Sequence, residues 1–154
     1  MVNNDFLNEL LGIDKLRVTD IRISGAEQIT LYVESIEEAA ICPECNRGSL
    51  KVHGLCEEQL IRDLPYGERR CYLSYRARRF RCGECGKTFV EQVLWKRAEV
   101  SYTRRYEEQI YERAHKEPVS QIAEEEGLSE EAVQTIFEHW AKKRLRHGGT
   151  RTSK

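Results

Sequence analysis

Apolar residues follow two different periods along the chain, and the period changes near residue 95. Before that point they alternate with polar residues, as in residues 16–24, 29–35 and 69–80. This alternation is typical of β-strands that bury one face. After that point apolar residues recur three and four positions apart, which is typical of amphipathic helices. The chain is therefore expected to be an α+β protein, with an antiparallel β module followed by a helical module.

Turn residues divide the β module into hairpins. Residues 16–24 and 29–35 flank the turn-forming stretch SGAEQ, so we expect them to pair as a hairpin, with one break of phase near Asp20. Pro65 and Gly67 in PYGE predict a second turn. On the strand after this turn, alternation gives one apolar face, formed by Cys71, Leu73, Tyr75 and Ala77, and one polar face, formed by Arg70, Tyr72, Ser74, Arg76 and Arg78.

The net charge of −1 conceals strong segregation of charge along the chain. Residues 1–60 carry a balance of −6 and residues 61–105 a balance of +7. The next stretch, 106–140, carries −8, and the last, 141–154, carries +6. Two basic blocks therefore flank an acidic one. Local charge, and not net charge, decides whether a polyanion can dock.

Composition also limits the class of protein. The chain has 154 residues, of which 40% are hydrophobic and 33% charged, so its core is expected to be modest. No apolar run reaches the roughly 20 residues of a membrane helix, and the first residues lack the basic and small-residue features of a signal peptide. The cytoplasm is the default expectation, and there the six cysteines are expected to be metal ligands or buried thiols.

Two CxxC pairs are the most specific feature of the sequence. Cys42 and Cys45 form the first pair, and Cys82 and Cys85 form the second. This spacing lets two thiolates from each loop meet one tetrahedral ion, and Gly86 is a natural position for positive φ. Four thiolates favour zinc and leave no open coordination position. One structural Zn²⁺ is therefore predicted, in a zinc-ribbon-like module whose two knuckles are joined through the PYGE hairpin.

Other interpretations of the cysteines remain open at this stage. The alternatives for the four residues are ordinary thiols or two redox pairs, and His53 is an alternative ligand. Cys56 and Cys71 have no partner at ligand spacing and are expected to be small buried residues on facing strands. The HxE…PCxxC pattern of zinc deaminases is absent.

The stretch VSQIAEEEGLSEEAVQTIF fits a helix-turn-helix. Helices are predicted over 119–126 and 129–139, with Gly127 in the turn and Ser129 as the cap of the second helix. Ala123 is small where the helices cross. The predicted interhelical core consists of Ile122, Leu128, Val133 and Ile136.

Two interpretations of the second helix remain open. Gln134 and Thr135 are plausible contacts to bases, but Glu130, Glu131 and Glu138 share the exposed face and repel phosphate. The alternative is an acidic face that packs or binds a partner. An alternative role for the exposed arginines of the strand is to protect a sheet edge from pairing. The candidate DNA-binding residues are Arg70, Arg76, Arg78, Arg79, Arg81, Lys96, Arg97, Arg104, Arg105, Ser129, Gln134, Thr135, Lys142, Lys143 and Arg144.

The order of these parts resembles the N-terminal region of the ISL-three family of bacterial insertion-sequence transposases. The resemblance covers roughly residues 7–140, and its most specific part is RDLP…RRFRCGECGKTF joined to the upstream CPEC. It implies a zinc ribbon held by Cys42, Cys45, Cys82 and Cys85, then a helix-turn-helix thought to bind terminal inverted repeats. The DNA-reading role carries over to helix 129–139.

The sequence departs from that family in two ways. Family members continue into an RNase H-like domain with a catalytic acidic triad, whereas residues 141–154 contain no Asp or Glu. The predicted recognition helix is also acidic where a DNA reader usually carries Arg, Lys or Gln. We therefore expect no strand-transfer activity from this chain, which resembles a truncated transposase or a repurposed regulator.

These observations lead to a single prediction, with one alternative. The chain is expected to be a zinc-dependent, non-catalytic protein that binds double-stranded DNA, with no membrane and no small-molecule substrate. The alternative is a zinc-ribbon adaptor that uses its acidic helical face for a protein partner or for self-association. The predicted domains are a first domain with an N-terminal helix, a β-hairpin and a zinc-ribbon-like module (1–95), a helix-turn-helix domain (96–147) and a disordered tail (148–154).

Overall fold

The computed structural model describes residues 4–49 and 51–148, and it divides the chain into two compact units. The first unit is Met1–Thr103 and the second is Arg104–Lys154. Residues 96–103 lie with the first unit because Lys96 bridges to Thr103 and Tyr102 bridges to the strand residue Arg62. The predicted tail, apart from residue 148, lies outside the described residues.

Within its described residues, the first unit combines one helix with seven strands. A five-stranded sheet has the order β1-β2-β6-β5, with β7 added to the end of β6, and β3 and β4 form a separate two-stranded sheet. The elements are α1 (Asn4–Leu11), β1 (Leu16–Ser24), β2 (Gln28–Ser35), β3 (Ala40–Ile41), β4 (Gly48–Ser49), β5 (Val52–Tyr66), β6 (Arg69–Arg81) and β7 (Thr88–Val90).

Both predicted hairpins are present. β1 pairs with β2 in antiparallel register, and the register shifts between Val18 and Asp20, where the sequence pattern breaks phase. β5 and β6 form the long hairpin, and Gly67 in its turn has a φ of 63°. A left-handed backbone of this kind is unstrained only for glycine and a few short polar residues. The local sequence therefore determined these two pairings.

One pairing is parallel, which the local pattern did not indicate. β2 runs beside β6 from the pair Gln28 and Arg70 to the pair Tyr32 and Ser74. The two hairpins thus share one sheet, with β2 and β6 at its centre. The sheet is mixed, although every other described pairing within it is antiparallel.

The core of the first unit lies between α1 and one face of the sheet. Leu7 and Leu11 of α1 pack there, and Val93 and Trp95 cover part of the same cluster. The predicted apolar face of β6 supplies buried residues to this core. Members of the core cluster on the sheet are Leu16, Val18, Ile29, Leu31, Val33, Ile61, Cys71, Leu73 and Tyr75.

The described part of the second unit contains three helices, α2 (Arg104–Ala114), α3 (Val119–Glu126) and α4 (Glu130–Gly148). Gly127 ends α3 in the left-handed region with a φ of 70°. The backbone N–H of Ala132 donates to Ser129 Oγ at 3.0 Å, which caps the start of α4 as predicted. Ile122, Val133 and Ile136 are buried between the helices, and Leu128 is half-buried.

The last helix is longer than predicted. α4 continues nine residues past residue 139, and Trp140 is buried at 3% exposure with its indole N–H 3.3 Å from the carboxylate of Glu107. Burial of this large side chain supplies a reason for the helix to continue. None of the helices in the described part of the chain has the length and apolar character needed to span a membrane.

Candidate metal centre and nucleic-acid interface

Two short β-hairpins present the four cysteines. β3 and β4 flank the loop with Cys42 and Cys45, while β6 and β7 flank the loop with Cys82 and Cys85. The long β5–β6 hairpin lies between the two loops in sequence and returns the chain to the first loop. Ser49 Oγ donates to the carbonyl of Arg81 at 2.6 Å, which joins β4 to β6 beside the cysteines.

The two knuckles use the same turn. In the first, the N–H of Cys42 donates to Arg47 O at 2.8 Å, and the N–H of Asn46 donates to Cys42 O at 2.8 Å. In the second, the N–H of Cys82 donates to Lys87 O at 2.8 Å, and that of Gly86 donates to Cys82 O at 3.0 Å. Asn46 and Gly86 therefore occupy equivalent positions.

Both equivalent residues have positive φ, 62° at Asn46 and 76° at Gly86. Glycine adopts this region without strain, and asparagine is among the side chains that tolerate it best. The prediction for Gly86 is confirmed. Asn46 was missed because asparagine is common in turns of every kind and carries no specific indication of φ.

The four sulfur atoms fit one tetrahedral ion. All four Sγ atoms lie within 4.8 Å of one another, with Cys42 and Cys85 at 3.8 Å and Cys45 and Cys82 at 3.5 Å. A Zn–S distance of about 2.3 Å places tetrahedral ligands about 3.8 Å apart. Four thiolates of this geometry suit Zn²⁺, which the ribbon would hold as a structural ion.

The electrostatics of the cluster favour a bound cation. Backbone N–H groups of Cys85 and Glu84 lower the pKa of Cys82 to about 6, and the Glu84 N–H lies 3.4 Å from its sulfur. The N–H of Arg47 lowers the pKa of Cys45, but the Cys82 thiol raises it, and the net pKa is about 12. Thiolates packed this closely repel one another unless a positive charge lies between them. A divalent ion bound there would supply that charge.

The remaining cysteines lie outside this cluster. Cys71 is fully buried in the core, as predicted. Cys56 is only half-buried, because it lies in an irregular stretch of β5 where the pairing shifts between Leu55 and Glu58. His53 is exposed and is not part of the four-sulfur group.

The basic strand β6 does not present all of its arginines to solvent. Arg78 forms an ion pair with Glu91, in which its Nη2 lies 2.9 Å from Oε1 of the carboxylate. Its Nη1 also donates to Glu37 O at 2.7 Å. The Glu91 side chain is 5% exposed and also accepts from the Tyr75 hydroxyl. Arg78 therefore stabilises the unit, and we remove it from the candidate DNA contacts.

Lys96 is also removed from the candidate contacts. It is buried at 8% exposure, and its Nζ donates to Arg97 O at 2.9 Å. Alternation alone could not distinguish this lysine from a surface one. Four further candidates, Arg70, Arg97, Arg104 and Arg105, are half-buried.

The outer arginines of β6 are exposed. Arg76 Nε donates to the carbonyl of Cys56 at 2.7 Å, and Arg79 Nη2 lies 3.7 Å from the Cys56 sulfur. Arg81 is exposed, and its side chain has no polar partner among residues 4–49 and 51–148. Lys51 and Lys87 flank the knuckles, and they too are exposed and have no polar partner for their side chains among the described residues. The sequence analysis missed them because they lie outside the arginine run.

In the second unit, the start of α4 is exposed and acidic. The residues predicted to be exposed are exposed, namely Glu130, Glu131, Gln134, Thr135 and Glu138, and so is the capping residue Ser129. Gln134 Nε2 donates to Glu138 at 3.3 Å, so its amide is partly engaged.

The basic end of α4 contacts the same unit. Lys143 Nζ lies 4.7 Å from the centre of the Trp140 ring, and Arg144 lies 5.1 Å from that of Tyr111. Arg144 also contacts Glu112 at 3.4 Å, whereas Lys142 is exposed and free of polar contacts within the described residues.

Comparison with known protein families gives two matches. Residues 38–85 match the zinc finger of transposase IS204/IS1001/IS1096/IS1165, and residues 91–141 match the helix-turn-helix domain of transposase family ISL3. The first match contains both knuckles, and the second contains all of α2 and α3. Searches of curated proteins and of solved structures found no significant match.

Proposed function

The chain carries the zinc-ribbon and helix-turn-helix domains of the ISL3 transposase family, and from this premise we propose that it is a zinc-dependent, non-catalytic protein that binds double-stranded DNA. Its role as a terminal-repeat-binding region of a transposase or as a repurposed regulator belongs to the same proposal. We place it in the cytoplasm, where thiolates stay reduced and available to zinc.

The observation that carries the proposal is the convergence of the four sulfur atoms beside a basic ribbon. Cys42, Cys45, Cys82 and Cys85 would bind one Zn²⁺ and fill its coordination sphere. No position is then left for a substrate or an activated water, so the ion supports structure and not chemistry. Exposed cations on the ribbon and at Lys142 supply candidate phosphate contacts.

The test is DNA binding by the purified chain with and without metal. We expect the zinc-loaded chain to shift a random-sequence duplex in an electrophoretic assay, and a chelator to weaken that shift. Added zinc is expected to restore DNA binding. The Cys82→Ser variant is expected to lose zinc binding, and a chelator is then expected to have no further effect on its DNA binding. A chain that holds one zinc ion but binds no duplex at low salt would refute the proposal.

A second candidate function follows from the exposed acids of α4. Glu130, Glu131 and Glu138 cover the face that would enter a major groove. This face favours a basic protein partner or self-association, as in an adaptor. Binding to a protein with no retention on heparin or DNA would support this candidate and contradict the first.

A further inference from the structure

Strands β5, β6 and β7 form a three-stranded ribbon at the knuckle end of the first unit, and the strand register assigns their side chains to two faces. Val52 pairs with Phe80, and Phe80 with Phe89, so these three residues share one face. The Phe80 and Phe89 rings stack there with centroids 5.9 Å apart. Directly opposite residues in antiparallel strands point to the same side.

The other side is the outer ribbon face. Arg79 pairs with Gly54 and Val90, and Arg81 pairs with Thr88. The N–H of Arg81 donates to Lys51 O at 3.1 Å, which extends the register by one residue. The outer ribbon face therefore consists of Lys51, Gly54, Arg79, Arg81, Thr88 and Val90.

Charge on this face is positive and uncompensated. Lys51, Arg79 and Arg81 are all exposed, and the part of the chain that the structure describes offers none of them an ion pair. The paired positions are glycine, threonine and valine, with no carboxylate among them. Two other arginines of the unit differ, since Arg17 is paired with Glu34 and Arg78 with Glu91.

The geometry of the face suits an extended polyanion. Arg79 and Arg81 are two residues apart on one strand, which separates their Cα atoms by about 7 Å. Lys51 and Thr88 lie on the strands to either side, about 5 Å away. Thr88 adds a hydroxyl donor. The knuckle tips carry Glu44 and Glu84, which repel a polyanion, so a polyanion is expected to bind along the strands and not at the tips.

We propose that the outer ribbon face binds the phosphate backbone of duplex DNA through Lys51, Arg79 and Arg81. This assignment rests on the proposed function and specifies where the first unit contacts its partner. Backbone contacts of this type position a protein without reading sequence. The zinc ion would support this contact indirectly. Cys82 directly follows Arg81, so the knuckle that holds the ion also fixes the end of the basic strand.

The test compares two triple variants of the full zinc-loaded chain. Lys51→Gln, Arg79→Gln and Arg81→Gln together remove the three cations of the outer ribbon face. Lys15→Gln, Arg17→Gln and Arg22→Gln remove three exposed cations near β1 as the matched control. Binding to a fluorescein-labelled random duplex is measured by anisotropy between 50 and 200 mM KCl, with zinc content and melting temperature recorded for each variant.

Each phosphate contact contributes about 0.9 to the slope of log affinity against log salt. We expect the face variant to lose about 3 from this slope and at least about tenfold in affinity at 100 mM salt. The control is expected to keep the wild-type slope. Arg79→Lys with Arg81→Lys retains the charges, and its slope is expected to match wild type.

The outcomes separate the two proposals. An unchanged slope in a folded, zinc-loaded face variant would overturn the assignment while the chain still bound DNA. An equal loss in the control would show general charge attraction and would also overturn it. A wild-type chain that binds no duplex would refute the proposed function itself. If the triple variant fails to fold, Arg81→Gln alone is expected to lower the slope by about 1, and no change would contradict the assignment.

Discussion

A single buried carboxylate shows how much depends on individual residues. Glu91 accepts hydrogen bonds from the Tyr75 hydroxyl, from the backbone N–H of Arg78 at 2.9 Å and from the Arg78 guanidinium. Burial, and then Glu91, raise the pKa of Tyr75. In the sequence Arg78 falls on the same face of the alternating strand pattern as Arg76. The difference between them arises from Glu91, which is distant in sequence, and so it could not be predicted from the pattern.

Loss of the Glu91 carboxylate is expected to be costly. Glu91→Ala leaves the half-buried Arg78 without its ion partner, and breaking a buried pair destabilises by about 3–5 kcal/mol. Urea unfolding followed by Trp95 fluorescence measures the change. Glu34→Ala breaks the exposed pair with Arg17 and serves as the control, with an expected cost below about 1 kcal/mol. Equal effects of the two substitutions would contradict this role.

The equivalence of Asn46 and Gly86 makes a second prediction at the residue scale. Gly86→Asn is expected to keep zinc affinity, because Asn46 already adopts the same backbone in the first knuckle. Gly86→Val is expected to cost about 1–2 kcal/mol and to weaken zinc binding, since a β-branched residue is strained at positive φ. Competition with a chromophoric chelator measures the affinity. A valine variant with wild-type affinity would show that the turn is not needed.

At the scale of elements, local patterns determined most of what was predictable. Alternation and turn residues located the hairpins, and glycine and serine located the ends of α3 and α4. The parallel pairing of β2 with β6 has no local origin, because it joins strands through long-range contacts alone. The extension of α4 was missed for a related reason, because Trp140 on this extension donates to Glu107 on another helix, a contact that local sequence does not show.

Arg113 connects α2 with α3 and provides a pH-dependent prediction. It forms ion pairs with Glu117 at 2.7 Å, with Glu126 at 2.7 Å and with Glu125. Its hydrogen bond lowers the pKa of Glu117 below the ordinary 4.5. A carboxylate with a lowered folded pKa stabilises fully above its ordinary pKa, and the stabilisation is lost as pH falls through the folded value.

Glu117→Gln is therefore expected to lower the melting temperature of the second unit at pH 7. The difference from wild type is expected to shrink as pH falls below about 4.5 and to vanish at lower pH. Thermal melts at 222 nm across this range measure it. Glu124→Gln, at an exposed position on α3, is the control and is expected to melt like wild type. A difference independent of pH would exclude the ion pair as its cause.

For the whole molecule, zinc is expected to matter to one unit and not to the other. All four candidate ligands lie in Met1–Thr103, whereas the three helices of Arg104–Lys154 bury their own core of Tyr106, Ile110, Ile122, Val133 and Ile136. The cysteine set was predictable because ligand spacing is local. The contact surface was only partly predictable, because local sequence does not show which cations are paired internally.

The two tryptophans report the two units separately, since Trp95 lies in the first and Trp140 in the second. In a Trp140→Phe variant, a strong chelator is expected to shift the emission of Trp95 to longer wavelength as the first unit loosens. In a Trp95→Phe variant, the same chelator is expected to leave Trp140 emission unchanged. A shift of Trp140 with metal loss would contradict the independence of the units.

The parallel pairing of β2 with β6 also affects how the chain folds during synthesis. The paired residues are about forty positions apart, and non-local pairings of this kind form slowly. The β1–β2 hairpin leaves the ribosome first and exposes one open strand edge until β6 follows. Open edges are templates for aggregation. We therefore expect the yield of native protein to depend on the translation speed between residues 36 and 74, even where the finished fold is equally stable.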